Sequence, residues 1–94
     1  MEAQEAVEKT FGRVLRRLRE KSGRSHLIFS EHLNINRTHY GRIERGEASL
    51  RLRMVEALAK GLGLEISELM ILLDKERKRI VKGYVVKPKK VPSA

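Results

Sequence analysis

The 94-residue chain has no cysteine, no tryptophan, only two prolines and no long run of apolar residues. Without cysteine, disulfide bonds and thiolate metal sites are excluded. Without an apolar run of about 18 residues, a membrane-spanning helix is not expected, and the acidic start MEAQEAVEK is unlike a signal peptide. The spacing of His26, His32 and His39 does not match zinc sites. We therefore expect a small cytosolic protein with no metal, no cofactor and no membrane contact.

Acidic residues are also few, since 12 Asp and Glu stand against 21 Lys and Arg, for a net charge of +9. Such an excess favours nucleic acid, an anionic membrane or an acidic protein as the partner. The charge is uneven: residues 1–10 carry a formal −2, residues 11–74 carry +4 and residues 75–94 carry +7. We interpret these segments as an N-terminal extension of the first helix, a folded domain and a basic C-terminal extension.

Apolar residues recur at helical spacing through most of the chain, with turn and capping residues between the repeats. The pattern predicts five helices: about Glu5 to Ser22, His26 to Leu33 after a Ser25 cap, Asn36 to Gly46, Arg51 to Leu62, and from a Ser67 cap toward Ile80. Leu52 is expected to belong to the core-facing set of the fourth helix. Only YVV at 84–86 resembles a strand, so we predict an all-α fold in which five helices form a compact domain.

The third predicted helix, in the stretch NRTHYGRIERGE at residues 36–47, has one apolar edge and one basic face. The basic face holds Arg37, Thr38, Gly41, Arg42 and Arg45. A glycine inside a helix costs about 1 kcal/mol relative to alanine, so Gly41 needs a reason. A bare backbone would let this face lie close against a polyanion, whereas the alternative is an ordinary solvated face on which Gly41 is merely tolerated.

A short link, LNIN, separates the second and third helices, which is the spacing of a helix-turn-helix. Asn34 suits the left-handed conformation that such a turn requires. In this order, FGRVLRRLREKSGRS, FSEHLNINRTHYGRIERGE and LRLRMVEALAKGLGLEISEL resemble the phage repressor and Cro-like (XRE-type) helix-turn-helix family. The resemblance covers about residues 11–73 and implies a repressor-like domain that places its third helix in the DNA major groove.

The resemblance also assigns roles to residues by position. Three side chains would face base edges: Arg37, Thr38 and Arg42. Six would contact phosphates: His26, Asn36, His39, Arg45, Arg51 and Arg53. A buried ion pair would join Arg19 to Glu44. His26 departs from the family, which most often has glutamine there.

The function implied by the resemblance is sequence-specific binding of double-stranded DNA by a transcriptional regulator acting as a homodimer. The alternative is an antitoxin-like or adaptor module whose basic tail binds an acidic protein partner. An enzyme is not expected, because the sequence shows no nucleophile–base pair, carboxylate dyad or phosphate-cradling glycine loop.

The basic extension at residues 75–94 leaves three interpretations open. It is a solubilising, partly disordered tail, an additional source of phosphate contacts, or part of a dimer interface. In the last case the fifth helix supplies the contact through Ile71, Leu72, Ile80 and Val81, and YVV pairs across the interface.

Overall fold

The computed structural model describes residues 5–80, except for the side chain of Ile80. Its five helices are α1 (Val7–Lys21), α2 (His26–His32), α3 (Arg37–Glu44), α4 (Leu52–Gly61) and α5 (Ile66–Ile80). No strand occurs between residues 5 and 80, and the predicted all-α fold of five helices is confirmed. The strand-like YVV at 84–86 and the rest of the basic extension beyond residue 80 lie outside the described residues.

Local hydrogen bonds set the turns around α2, as the sequence predicts. The Ser25 hydroxyl accepts a hydrogen bond from the backbone N–H of Ile28 at 3.2 Å, which caps the start of α2. Asn34 has a φ of 55° and supplies the left-handed residue of the turn. The Asn36 side-chain oxygen then accepts from the N–H groups of Thr38 and His39 at 2.9 and 3.2 Å, and α3 begins.

One hydrophobic core lies between the helices, and α1 packs against both α3 and α5. Its buried members come from α1, α2, α3, α4 and α5: Phe11, Val14, Leu15, Phe29, Tyr40, Ile43, Leu58, Ala59 and Leu69. Phe29 and Tyr40 meet edge to face with their ring centres 5.4 Å apart, a favoured aromatic geometry. The core therefore anchors the inner side of α3 and leaves its outer side at the surface.

Two predictions about residues in the first turns of α4 and α5 are wrong: Leu52 does not face the core, and Ser67 is not a cap. Leu52 is 79% exposed, because it is the first residue of α4 and precedes the turn that faces the core. Ser67 lies inside α5 and does not cap it. Instead, a Glu68 carboxylate oxygen accepts the backbone N–H of Glu65 at 2.8 Å, which is half of a capping box.

The predicted boundary between residues 74 and 75 falls inside α5, which continues to Ile80. Glu76 lies beyond that boundary, yet it is only 5% exposed and accepts a hydrogen bond from Arg17 of α1 at 3.1 Å. Arg77 donates to the Glu5 carbonyl and to the Thr10 hydroxyl, both at 3.4 Å. Glu76 and Arg77 thus contact α1 and the residues just before it.

Candidate nucleic-acid interface

The outer side of α3 presents the three candidate base contacts to solvent. Arg37 and Thr38 occupy the first turn of the helix, Arg42 lies one turn later, and all three are exposed. An Arg42 guanidinium N–H donates to the Glu47 backbone carbonyl at 3.2 Å, which links this side chain to the loop after α3. The arrangement offers two planar guanidinium groups and one hydroxyl to whatever this side of the helix meets.

Five of the candidate phosphate contacts fall into two groups beside α3. His39, Arg51 and Arg53 line a groove of about 420 Å³ between α3, the following loop and α4. His26 and Arg45 line a second pocket, where α2 approaches the end of α3. Arg45 also lies 3.2 Å from the Glu47 carboxylate. Positive or protonatable side chains thus lie on both sides of the α3 surface.

Asn36, the sixth candidate, is exposed at the start of α3. Its side-chain oxygen is already used to cap the helix. Only its amide NH₂ group is therefore left to donate to an anion.

Behind this surface, α3 is held by a buried polar cluster around Glu44. Arg19 of α1 donates to the two Glu44 carboxylate oxygens at 2.6 and 3.2 Å, and both residues are buried. The Tyr40 hydroxyl donates a short hydrogen bond to the same carboxylate. His26 Nε2 lies 2.8 Å from Glu44 Oε1. The carboxylate of the last α3 residue therefore joins α1, α2 and α3.

The contacts within the cluster shift the pKa values of Glu44, Arg19 and Tyr40. Burial by itself raises the pKa of Glu44, but the hydrogen bonds from Arg19 and Tyr40 and the Arg19 charge outweigh it, so this pKa lies below its usual 4.5. The Glu44 carboxylate in turn raises the pKa of Arg19. Burial, together with Glu44, raises the pKa of Tyr40, so its hydroxyl remains a donor. The cluster is thus an ion pair supported by a neutral phenol.

Two contacts of this cluster, those of Tyr40 and His26 with Glu44, were not predicted. Tyr40 and Glu44 are four residues apart on one helix, a spacing at which side chains meet, so this contact is readable from the sequence. The placement of His26 on Glu44 has no such signal, because it depends on how α2 crosses α3. His26 therefore has one ring nitrogen beside Glu44 and one, Nδ1, left for a further partner.

The prediction that Gly41 leaves a bare, outward backbone is wrong. Gly41 is buried, and a Cβ built there would lie 3.1 Å from an Arg45 guanidinium nitrogen and 3.9 Å from the His26 ring. Both side chains cover it, and the Arg45 group is the end of a flexible chain.

At Gly12 of α1, by contrast, an added side chain would meet the backbone of α3. A Cβ at this position would collide with the Glu44 carbonyl oxygen and would lie 2.8 Å from that of Ile43. Gly12 thus lets α1 lie directly against the end of α3. The sequence did carry a signal for this contact, because Gly12 also lies inside a predicted helix, where a glycine is less favourable than alanine.

Acid is expected to destabilise the fold through Glu44 and Glu76, the two buried carboxylates of residues 5–80. Hydrogen bonds from Arg17 and Arg79 lower the pKa of Glu76 against the opposing effect of burial, and the pKa of Glu44 is lowered as well. A carboxyl whose pKa is lowered in the folded state stabilises it above the unfolded pKa, and this contribution is lost as the pH falls. We expect the free energy of unfolding to be flat from pH 7 to about pH 5 and to fall below that.

Urea unfolding followed by circular dichroism at a series of pH values measures this effect. Glu76→Gln removes one of the two groups and should make the acid-side decline shallower. Equal stability at pH 7 and about pH 3 would contradict the assignment of lowered pKa values to these carboxyls.

The class of protein follows from these features. A capped α2, a left-handed turn at Asn34 and a solvent-facing α3 locked from behind by an Arg–Glu pair define a helix-turn-helix domain. A model of the helix-turn-helix domain family matches residues 10–69, and the chain belongs to this family. The resemblance to XRE-type regulators predicted from the sequence is thereby confirmed.

Individual relatives extend the comparison. The control protein C.MunI from a Mycoplasma species is 37% identical over 67 residues, which cover 70% of this chain and 90% of that protein. The clp gene regulator ClgR of Corynebacterium glutamicum has a similar structure, with a TM-score of 0.78, 15% identity and 83% of each chain covered. The restriction–modification controller C.Esp1396I, solved as a tetramer with its natural 35-base-pair operator, has a TM-score of 0.72 at 23% identity over 78% of this chain and 96% of that one. The two structural matches show the same fold.

Within residues 5–80, no helix is long and apolar enough to cross a membrane. The same part of the chain contains no group of three or more His, Asp and Glu side chains placed to hold a metal ion.

Proposed function

We propose that this chain is a transcriptional regulator that binds double-stranded DNA sequence-specifically as a homodimer. The observation that carries the proposal is the exposed α3 surface, with Arg37, Thr38 and Arg42 facing solvent on a helix whose inner side is fixed by the Glu44 cluster. The named relatives support it, since they include a control protein and a controller solved on its operator. The same relatives support a binding role for this chain, and we propose no catalytic one.

Base readout is assigned to the first and second turns of α3. An arginine guanidinium can form two hydrogen bonds with guanine O6 and N7, and a threonine can bond a base or touch a thymine methyl group. Arg37 and Thr38 lie at the N-terminal end of α3, which is the end that a recognition helix points at base edges. Arg42, one turn on, would read a further base of the half-site.

Phosphate contacts are assigned to the two groups flanking α3. His39, Arg51 and Arg53 lie together around one groove, and His26 and Arg45 lie together at the other end of the helix. Cations on both sides of a helix in the major groove would grip the phosphates that border it. Such contacts set register and affinity but carry no sequence information.

Dimerisation is assigned to the exposed apolar part of α5. Ile71 is 53% exposed and lies beside the partly buried Met70 and Leu73 at one surface pocket. Leu72, which the sequence also suggested for the interface, lies on the other side of α5, next to Val14 of α1. A second copy covering Ile71 would place two α3 helices on half-sites roughly 34–36 Å apart.

The base-contact assignment is tested with Arg42→Ala. On a duplex selected by the wild-type protein, we expect affinity to fall by about 1–3 kcal/mol, because a two-bond contact to one base is lost. The preference for that one base should relax, whereas the rest of the motif stays. Binding isotherms on the selected duplex and on its single-base variants measure both effects.

Arg53→Ala is the matched control, since it removes one exposed arginine that is assigned to phosphate. It should weaken binding equally on all sequences and lower the slope of log K against log salt by about 1. If Arg42→Ala behaves in the same way as Arg53→Ala, the assignment of Arg42 to a base is wrong.

A further inference from the structure

A second basic surface lies between α1 and α5, in a groove of about 280 Å³ that we call the α1–α5 groove. Its rim carries four positive side chains and one carboxylate, and its floor is apolar. The rim consists of Arg17, Lys21, Lys75, Arg79 and Glu76, and the floor of Val14, Leu18 and Leu72. The lining therefore has a formal excess of three positive charges above a hydrophobic base.

The α1–α5 groove opens on the side of α1 that faces away from α3. Gly12 and Arg19 mark the α3 side, since one packs on the α3 backbone and the other pairs with Glu44. Arg17 and Lys21 lie on the opposite side of the helix at 3.6 residues per turn. DNA held by the outer side of α3 would therefore leave this groove open to another molecule.

The rim is held in place and keeps its positive charge. Arg17 donates to both Glu76 carboxylate oxygens at 3.1 and 3.4 Å, and Arg79 donates to one of them at 3.2 Å. One buried carboxylate thus orients two guanidinium groups of the rim, with Arg13 a third at 4.0 Å, and its single negative charge leaves an excess of positive charge.

Neither lysine of the rim, Lys21 or Lys75, forms an ion pair with a carboxylate of residues 5–80. Glu20, next to Lys21 in the sequence, is paired with Arg16 at 3.2 Å. Asp74, next to Lys75, is paired with Lys78 at 3.3 Å. The nearest acids in the sequence are therefore occupied by other cations.

We propose that the α1–α5 groove binds an acidic, amphipathic helix of a partner protein. An apolar stripe on such a helix fits the floor, and carboxylates on its flanks fit the rim, which is the helix-in-groove mode of recognition. The charge complementarity would steer the two proteins together. The lining contains no aromatic side chain, so it lacks the stacking platform of a surface for single-stranded nucleic acid.

The ends of this chain lack the required chemistry. Residues 81–94 hold four lysines and no acidic residue, and residues 1–4 hold a single glutamate. We therefore assign the groove to a different protein, and a second copy of this chain is an outcome of the test. Binding there does not depend on the proposed DNA contacts, and it would let one molecule hold DNA and a second protein at once.

The test uses the full chain and a designed fluorescent peptide, a helix with leucines along one face and glutamates on both flanks. Anisotropy titrations at about 150 mM salt suppress long-range charge effects. We expect saturable binding, weakened at least about tenfold when the same residues are scrambled so that the leucine face is lost. In ¹⁵N-labelled protein, amide shifts should fall on residues 14–21 and 72–79.

The double variant Lys21→Glu/Lys75→Glu should weaken peptide binding at least about tenfold. Lys9→Glu/Lys60→Glu makes the same change in net charge at two exposed lysines outside the groove and should have a much smaller effect. Both variants should keep the circular dichroism spectrum and the binding of duplex DNA, so a failure here is distinguishable from a failure of the proposed function.

Several results would overturn the proposal. They are equal binding of the scrambled peptide, equal losses in the two double variants, and no binding up to about 1 mM peptide. Amide shifts on α3 would show non-specific anion binding instead. Shifts at the groove caused by duplex DNA, or a changed oligomeric state of Lys21→Glu/Lys75→Glu in ultracentrifugation, would assign the surface to DNA or to a second copy.

Discussion

Replacing Glu44 with alanine is expected to lower the free energy of unfolding by about 3–5 kcal/mol, because it leaves the Arg19 charge buried without a partner. Arg19 and Glu44 are both buried, and the Glu44 carboxylate accepts hydrogen bonds from Arg19 and Tyr40. The loss of these bonds also leaves the buried Tyr40 hydroxyl without its acceptor. Urea unfolding at pH 7, followed by circular dichroism, measures the change.

The control is Glu20→Ala, which breaks an ion pair of similar length on the surface of α1. Glu20 lies 3.2 Å from Arg16, and both side chains are more than half exposed. Exposed pairs contribute about 0–1 kcal/mol, so this variant should be close to wild type. Similar small losses for Glu44→Ala and Glu20→Ala would mean that the Glu44 cluster does not hold α3 in place.

Gly12→Ala is expected to destabilise the protein by about 1–3 kcal/mol or more, as overpacking does in a close-packed interior. The added Cβ would lie 2.8 Å from the carbonyl oxygen of Ile43 and would collide with that of Glu44. Backbone atoms cannot swing aside, so α1 and α3 would have to move apart. This loss should exceed the gain of about 1 kcal/mol that alanine brings to a helix interior.

Gly41→Ala is the matched substitution inside α3. Its Cβ would meet the end of the Arg45 side chain at 3.1 Å, and a flexible side chain can rotate away. The helix preference of alanine should then dominate and stabilise the protein by about 0.5–1 kcal/mol. Thermal and urea unfolding of the two variants compare them directly. Loss of stability in Gly41→Ala with none in Gly12→Ala would reverse the assignment of the required glycine.

The elements that were predictable from the sequence are those fixed by neighbouring residues. The Ser25 and Asn36 caps and the left-handed Asn34 are confirmed, because side-chain and backbone groups two or three residues apart determine them. The helix-turn-helix spacing follows from the same local signals.

The errors concern contacts between elements that are distant in the sequence. A close approach was predicted at the mid-helix glycine Gly41. Whether a helical glycine permits a close approach depends on what packs against it, and the α3 backbone packs against Gly12. Glu76 was assigned to a basic extension, whereas it is buried against Arg17, 59 residues away. Leu52 fits the apolar period of α4, but it is the first residue of the helix and stays exposed. Periodicity identifies a face, and tertiary packing decides what covers it.

The contacts on the buried side of α3 determine how its exposed side is oriented. Arg42 and Glu44 are two residues apart on a rigid helix, on opposite sides of it. The Glu44 cluster therefore fixes the direction in which Arg37, Thr38 and Arg42 face. A loosened cluster should lower the affinity for a specific DNA sequence more than the affinity for random DNA, because only base readout needs this orientation.

The central claim is that α3 reads a DNA sequence. Selection from a random duplex library at about 150 mM salt tests this claim most directly, because non-specific binding is much weakened at that salt concentration. The account predicts enrichment of a two-fold-symmetric motif whose half-sites lie about one helical turn apart. A contradictory result would be no enrichment, with binding that disappears as the salt concentration rises. The protein would then be a non-specific basic binder, and its role as a sequence-specific regulator would be wrong.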